Sequence, residues 1–361
     1  MNSKVVSNYR LLCQNGDGCL SYHKGILYFS ESLDGEYIKI LDLAQSSWKL
    51  RVKMGIRLFE RLLRLEPRFA IPAEKSKYYI SWNCAMYMLD VSQGSMCKLF
   101  DYRRGMHNPL ALTHIEGNEK FSDGYYFGEY WGNVDREDVK IFRLTDTNCE
   151  CAYTFHENSI LHVHGITADS KTGRVLICTG DTDEESGIWE AFDDFKSVKP
   201  LLLGSQKYRS CSAYVTDRGI LYSTDTPLCE NGIYLFDETQ KCLQLLYKMP
   251  GPCIYSMKLK KTDGTEMYVF ATSVEPDSTL SAIRYRLTYK LGVGVKTRYT
   301  HIIAGNLEEG FQDIAQFKKD ILPMWLFQFG NVQFPCVDDS DHLLCTGQSL
   351  KKISGKTIAI L

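Results

Sequence analysis

Three short stretches of this chain concentrate side chains able to move protons, hold cations or grip a sugar. The first is Gly128-Glu129-Tyr130-Trp131-Gly132-Asn133, followed by Asp135 and Arg136. Aromatic rings stack on the apolar faces of pyranoses, while carboxylates and amides bind their hydroxyls. Glu129 is therefore a candidate catalytic group, and Tyr130, Trp131, Asn133 and Arg136 are candidate substrate contacts. The competing structural role pairs Glu129 with Arg136 at a strand end.

The second stretch is His162-Val163-His164, with Gly165 and Asp169 nearby. Strand alternation sends both imidazoles to one face, where they can hold a divalent metal together or act as acid, base and substrate donor. His164 is the candidate catalytic residue of the pair, and no third metal ligand is identifiable from spacing. Two hydrogen-bonded structural histidines would give the same pattern. The third stretch joins Gly180-Asp181-Thr182-Asp183 to Gln206-Lys207-Tyr208-Arg209 and Ser223-Thr224-Asp225-Thr226. Asp181 and Asp225 close equivalent strands of successive repeats, so they are candidates for the two carboxylates of a glycoside hydrolase. Gln206 and Arg209 are candidate substrate contacts, Arg209 as a bidentate partner for a sugar acid. Aspartates at strand ends also fasten turns, which is the alternative for each.

The elements that position these residues repeat. Strands ending in aspartate recur as Tyr37-Ile38-Lys39-Ile40-Leu41-Asp42, Met86-Tyr87-Met88-Leu89-Asp90, Ile141-Phe142-Arg143-Leu144-Thr145-Asp146, Ile188-Trp189-Glu190-Ala191-Phe192-Asp193 and Ile233-Tyr234-Leu235-Phe236-Asp237, with a degenerate sixth copy at Ile283–Thr288. Units of roughly 40 to 50 residues with several short strands each describe the blades of a β-propeller, because one small sheet cannot bury its own faces. The 361 residues then divide into about seven blades, six being the alternative, in a single domain over 1–361. Turns such as Thr262-Asp263-Gly264, Lys171-Thr172-Gly173 and Glu230-Asn231-Gly232 supply the glycines that tight hairpins require.

Two segments depart from strand grammar. Phe59, Leu62 and Leu63 fall at helical spacing before Pro67, and Phe311, Ile314 and Ala315 do so within residues 307–319, where a short inserted helix is expected. Three strands then follow, over residues 324–330, 343–347 and 356–361. A strand from Lys4 to Leu12 is expected to complete the last sheet, closing the propeller with both termini and leaving no unpaired edge.

Composition narrows the partners. Forty-two basic and 44 acidic residues, well mixed to a net charge of −2, give no reason to expect nucleic acid. The odd count of 13 scattered cysteines suits buried free thiols better than a disulfide framework. Only Cys149-Glu150-Cys151 comes near metal-ligand spacing. Neither a signal-type apolar segment nor a membrane span is readable, so a cytoplasmic location is expected.

Taken together, the GEYW segment at Gly128–Trp131, the HxHG segment at His162–Gly165 and the TGD segment at Thr179–Asp181 resemble the BNR/Asp-box, sialidase-like propellers, in particular their uncharacterised bacterial branch. The likeness runs from about Gly124 to Gly330. The Asp-box itself is worn: Thr145-Asp146-Thr147-Asn148 keeps its start, with Cys149 and Cys151 where glycine and an aromatic belong. Arg68-Phe69-Ala70-Ile71-Pro72 carries an extra residue relative to the sialidase arginine motif. What the resemblance implies is a propeller that binds, and as an enzyme would cleave, a complex or acidic glycan. Propeller-fold polysaccharide lyases are a similar class and use histidines, in some cases with a divalent metal, to abstract the proton α to a uronate carboxylate; His162, His164 and Arg209 suit that chemistry. The expected partner is thus an oligosaccharide or polysaccharide, with no cofactor required and a divalent metal as the candidate one. The alternative is a non-catalytic glycan-binding or scaffold propeller in a polysaccharide-assembly system.

Overall fold

The computed structural model describes residues 3–145, 148–261, 264–337 and 343–360. Asp146, Thr147, Thr262, Asp263 and Leu361, which figure in the sequence reading, lie outside the described residues. Among those residues the fold is all-β: a propeller of seven sheets, antiparallel except where Cys336–Val337 pairs parallel with Arg10–Asn15, with three short α-helices.

The chain divides into two compact units, residues 1–102 with 255–361 and residues 103–254. The second unit holds three consecutive four-stranded blades. Their strands are Thr113–Ile115, Gly124–Gly128, Val139–Leu144 and Cys149–Phe155; then His162–Asp169, Arg174–Gly180, Gly187–Phe192 and Ser197–Leu203; then Ala213–Thr216, Gly219–Ser223, Asn231–Asp237 and Cys242–Met249. Between the first two blades Ile141, Phe155, Val163, Ile177 and Phe195 form one continuous apolar cluster, and between the last two Leu176, Cys178, Ala213 and Tyr222 belong to another. Small sheets bury their faces in this way only by stacking.

The first unit contains four blades, one of them assembled from both chain ends. Ser3–Ser7 pairs antiparallel with Thr357–Ile360, Ser3 opposite Ile360 and Lys4 opposite Ala359, which completes the sheet begun by Asn331–Gln333 and Leu343–Gln348. The terminal closure expected from sequence is therefore present, although residues 324–330 form turns and not the first strand of that sheet.

The recurring strand-end aspartate has a local cause. Asp42 Oδ1 accepts Ala44 N–H at 2.9 Å, Asp90 Oδ1 accepts Gln93 N–H at 3.0 Å, and Asp237 Oδ1 accepts Thr239 and Gln240 N–H at 2.8 and 2.9 Å. Each side chain satisfies the donors of the turn that follows. The sixth such strand is Tyr299–Asn306, where Asn306 Oδ1 accepts from Glu308 and Glu309 N–H. Ile283–Thr288 is no strand: the helix Ala282–Leu287 covers most of it, with Ile283 and Leu287 exposed. The helix expected over 307–319 is likewise replaced by the strand Gly310–Lys318.

Helices α1 (Trp48–Gly55) and α2 (Arg57–Leu62) join the first blade to the second, and α3 is Ala282–Leu287. Ser47 caps α1 by accepting Leu50 N–H, and α1 turns Leu50 and Met54 inward. In α2 the buried face is charged. Glu60 and Arg61 point inward, while Leu58, Phe59 and Leu63 are exposed. Arg57 donates to Glu60 at 2.7 Å and also pairs with Glu66, Tyr22 O–H is bonded to Glu60, and Arg61 donates to Asp320 at 2.6 Å and to the Phe327 carbonyl. The helical face predicted at Phe59, Leu62 and Leu63 is thus the outer one, because the ion-paired Glu60 and Arg61 occupy the interior.

Candidate functional site

The candidate residues all lie in the 103–254 unit. Glu129, Asp181 and Asp225 each follow the second strand of their blade, as the repeat predicts for the two aspartates, but their environments differ. Glu129 is buried, its Oε2 accepts Lys140 N–H at 2.8 Å, and Arg103 stands 3.7 Å away. Burial raises the Glu129 pKa, opposed by that N–H and by Arg103. Asp225 is also buried, and its Oδ2 accepts the Cys211 thiol at 3.3 Å. Asp181 alone of the three reaches solvent, with 39% of its side chain exposed.

Two imidazoles and a guanidinium converge on Asp181. His164 Nε2 is 3.2 Å from Oδ1, His162 Nε2 is 3.8 Å from Oδ2, and Arg209 Nη2 is 2.7 Å from Oδ1. Arg209 Nη1 also donates to the Asp181 carbonyl at 3.1 Å. Against the cost of desolvation, Arg209 and the imidazoles hold the Asp181 carboxyl well below the usual carboxylate range. Burial pushes His162 down to about 4, with Asp181 opposing.

Local backbone form brings the cluster together. A bulge in the pairing of His162–Asp169 with Arg174–Gly180 falls between Val163 and Gly165, and the two imidazole rings sit 4.8 Å apart. Gly165 admits the Cys211 carbonyl so closely that a Cβ would lie 2.2 Å from its oxygen. At Gly180 a Cβ would meet the His164 ring at 2.8 Å and Arg209 Cγ at 3.0 Å. Only glycine lets the imidazole and the arginine pack over this strand end.

The remaining candidates are mostly committed to the scaffold. Asn133 donates to the Glu137 and Leu161 carbonyls and accepts Glu137 N–H, so its amide fastens a turn. Arg136 pairs with Glu185 and not with Glu129. Gln206 donates to the Asp181 carbonyl and accepts from Thr226, which braces the loop that carries Arg209. Trp131 is half-buried beneath Arg103, whose guanidinium carbon is 5.0 Å from its ring centre, and its carbonyl accepts from His162. Tyr130 stands edge-on to both histidines, with ring centroids 4.6 and 6.2 Å from theirs.

Sequence reasoning missed Arg103, Cys211 and Ser210. Arg103 and Cys211 stand outside the motifs, and Ser210 contributes its main-chain carbonyl to His164 Nδ1 at 3.0 Å, a role that leaves no trace in residue type. Cys149 and Cys151 sit on an edge strand, and all 13 cysteines are free, Cys97 being exposed instead of buried. No helix among the described residues is long and apolar enough to cross a membrane.

No family model and no curated protein matches this chain. Solved structures do. A chain in the crystal structure of a mitotic checkpoint complex is similar with a TM-score of 0.55 at 8% identity, over 99% of this chain and 92% of that one. The extracellular domain of a one-component system from B. thetaiotaomicron is similar with a TM-score of 0.52 at 7% identity, over 99% of this chain and 38% of that one. At such identities both likenesses speak for the fold alone.

Proposed function

We propose that this propeller acts on an acidic glycan at the Asp181 cluster, by elimination next to a uronate carboxylate. The observation that carries this reading is the asymmetry among the three strand-end carboxylates. Hydrolysis needs two carboxylates facing one substrate. Glu129 and Asp225 are buried and already bonded, and Asp181 is the one that faces solvent, in the company of two imidazoles and Arg209. That grouping suits recognition of a carboxylate and neutralisation of its charge, the step that acidifies the adjacent C–H. The base removes that proton, a C=C bond forms, and the glycosidic C–O bond breaks with its electrons going to the leaving oxygen, which is then protonated. Tyr130 brings an ionisable phenol beside both imidazoles and is the proton-transfer residue of this reading.

The likeness of the GEYW, HxHG and TGD segments to sialidase-like propellers supports a glycan ligand, and the geometry favours the lyase-type chemistry over the hydrolase-type. The purified chain is to be incubated with uronate-containing and neutral oligosaccharides while unsaturated-uronate absorbance and reducing ends are read together. Both should rise on uronate substrates only, and Tyr130→Phe should abolish the rise. Reducing ends without absorbance would refute elimination. Silence in both signals with measurable binding of the glycans would leave a binding module in place of an enzyme.

A further inference from the structure

The two histidines of the cluster have defined tautomers. His162 Nδ1 lies 2.7 Å from the Trp131 carbonyl and His164 Nδ1 lies 3.0 Å from the Ser210 carbonyl. A carbonyl only accepts, so each Nδ1 carries the hydrogen and, in the neutral ring, each Nε2 carries a lone pair. Those lone pairs face the Asp181 carboxylate at 3.8 and 3.2 Å. Acceptors aimed at acceptors repel unless positive charge lies between them. A proton on His164 would satisfy its own contact and still leave His162 Nε2 bare, and that nitrogen is buried without a hydrogen-bond partner.

We infer that His162 Nε2, His164 Nε2 and an Asp181 carboxylate oxygen form a site for one divalent transition-metal ion, with its remaining positions open on the solvent side of Asp181. Two imidazoles and a carboxylate are a donor set for zinc, cobalt or manganese rather than calcium, which takes oxygen ligands. The ligand atoms of the three residues lie within 4.8 Å of one another. A tetrahedral ion with bonds of ~2.0–2.1 Å separates its ligand atoms by about 3.3 Å, close to the 3.2 Å between His164 Nε2 and Asp181 Oδ1 and about half an ångström short of the His162 contact. The supporting groups are also those of a metal centre. Both histidines are oriented by main-chain carbonyls, and Arg209 holds Asp181 Oδ1 and so turns Oδ2 toward His162.

A second grouping, His164 with Cys211 and Asp225, is less suited to an ion. His164 Nδ1 is committed to Ser210, and burial and the neighbouring Asp225 push the Cys211 thiol well up, keeping it the donor to Asp225.

The ion's binding stands by itself, but its role rests on the glycan reading. There a dication would add its charge to that of Arg209 in binding a uronate carboxylate.

The test uses the full chain, chelator-treated and with exposed thiols such as Cys84, Cys97, Cys151 and Cys242 alkylated. Co2+ is titrated with calorimetry and visible absorption as readouts, and no glycan is added. The expected result is one ion per chain, ligand-field bands of a nitrogen and oxygen site, and no sulfur-to-cobalt charge transfer. Asp181→Asn, a change at a solvent-facing position, and His164→Gln should each weaken affinity by more than the ~10–100-fold typical of outer-shell changes. Circular dichroism confirms that each variant is folded. Binding that survives both substitutions, bands from thiolate ligation, or no binding at millimolar Co2+ would each overturn the site. Failure of the glycan assay alone would leave it standing.

Discussion

Replacing Arg57 with Met tests whether the charged interior of α2 is an ion network or a set of incidental contacts. Arg57 bridges Glu60 and Glu66 and reaches Ser354 at 3.1 Å; Arg10 stands 4.0 Å from Glu66 and donates to the Pro67 carbonyl and to Gln333. Arg10 and Arg57 thus balance two carboxylates that are each no more than 5% exposed. Removing Arg57 leaves one buried negative charge unmatched, which costs about 3–5 kcal/mol. At about 2–4 °C per kcal/mol for a unit of this size, the melting temperature should fall by on the order of 10 °C at pH 7. The loss carries a pH signature. With Arg57 gone, burial keeps the Glu60 carboxyl pKa in the folded state above that of the unfolded chain, and that guanidinium no longer opposes it. The native state then binds protons more tightly, and stability is regained as pH falls toward 5. A second variant, Arg57→Met with Glu60→Met, restores charge balance and should recover most of the loss. Calorimetry and urea unfolding at pH 7 and pH 5 provide the comparison. A loss under about 1 kcal/mol, or an equal loss at both pH values, would refute the network argument.

Further outcomes follow from other features. Gly165→Ala should cost at least ~1–3 kcal/mol, since the new Cβ meets the Cys211 carbonyl, and it should weaken Co2+ binding by displacing His164; unchanged affinity and melting would contradict the packing described. Ile177→Ala, at a fully buried position of the 103–254 unit, should cost ~2–5 kcal/mol in urea unfolding. Asn306→Ala removes two turn bonds and should cost about 1–3 kcal/mol, whereas Asn306→Asp should be nearly neutral. Iodoacetamide labelling followed by mass spectrometry should modify Cys84, Cys97, Cys151 and Cys242 quickly at pH 8 and spare Cys178 and Cys345, whose thiols burial pushes up to about 12.

The propeller was legible wherever a local rule forces a residue type, as at Asp42, Asp90 and Asp237, because a turn needs that side chain whatever lies around it. The sixth copy escaped because asparagine performs the same bonding at Asn306, and because α3 and its flanking loops lengthen the interval before it. The false helix at 307–319 has a specific origin. Ala315 pairs with Ile302 and Asp313 with Ile303, so Ile314 is bulged out of the ladder. A bulge shifts a period-two pattern by one residue and turns strand alternation into the i, i+3, i+4 spacing of Phe311, Ile314 and Ala315. At the site, the converging residues His162, His164, Asp181 and Arg209 were readable as candidates because their types carry chemistry. Their different fates were not. Whether a strand-end carboxylate faces solvent, like Asp181, or accepts a buried thiol, like Asp225, depends on contacts made by residues far away in sequence. The inward turn of Glu60 and Arg61 is of the same kind, since Arg61 finds partners at Asp320, Phe327 and Ser349.

The pairing of Ser3–Ser7 with Thr357–Ile360 also sets a timetable. The 103–254 unit is one uninterrupted stretch and can be completed as soon as it has left the ribosome. The other unit begins earlier and finishes later: its first blades must wait while the intervening residues are made, on the order of 10 s at ~5–20 residues per second. During that interval Ser3–Ser7 has no partner, and the sheet that will receive it does not exist. Folding should therefore proceed from the inserted stretch outward, with the terminal sheet as the last act. Pulsed hydrogen exchange during refolding provides the check: amides of Arg174–Gly180 should be protected before those of Thr357–Ile360, and the opposite order would contradict this sequence of events.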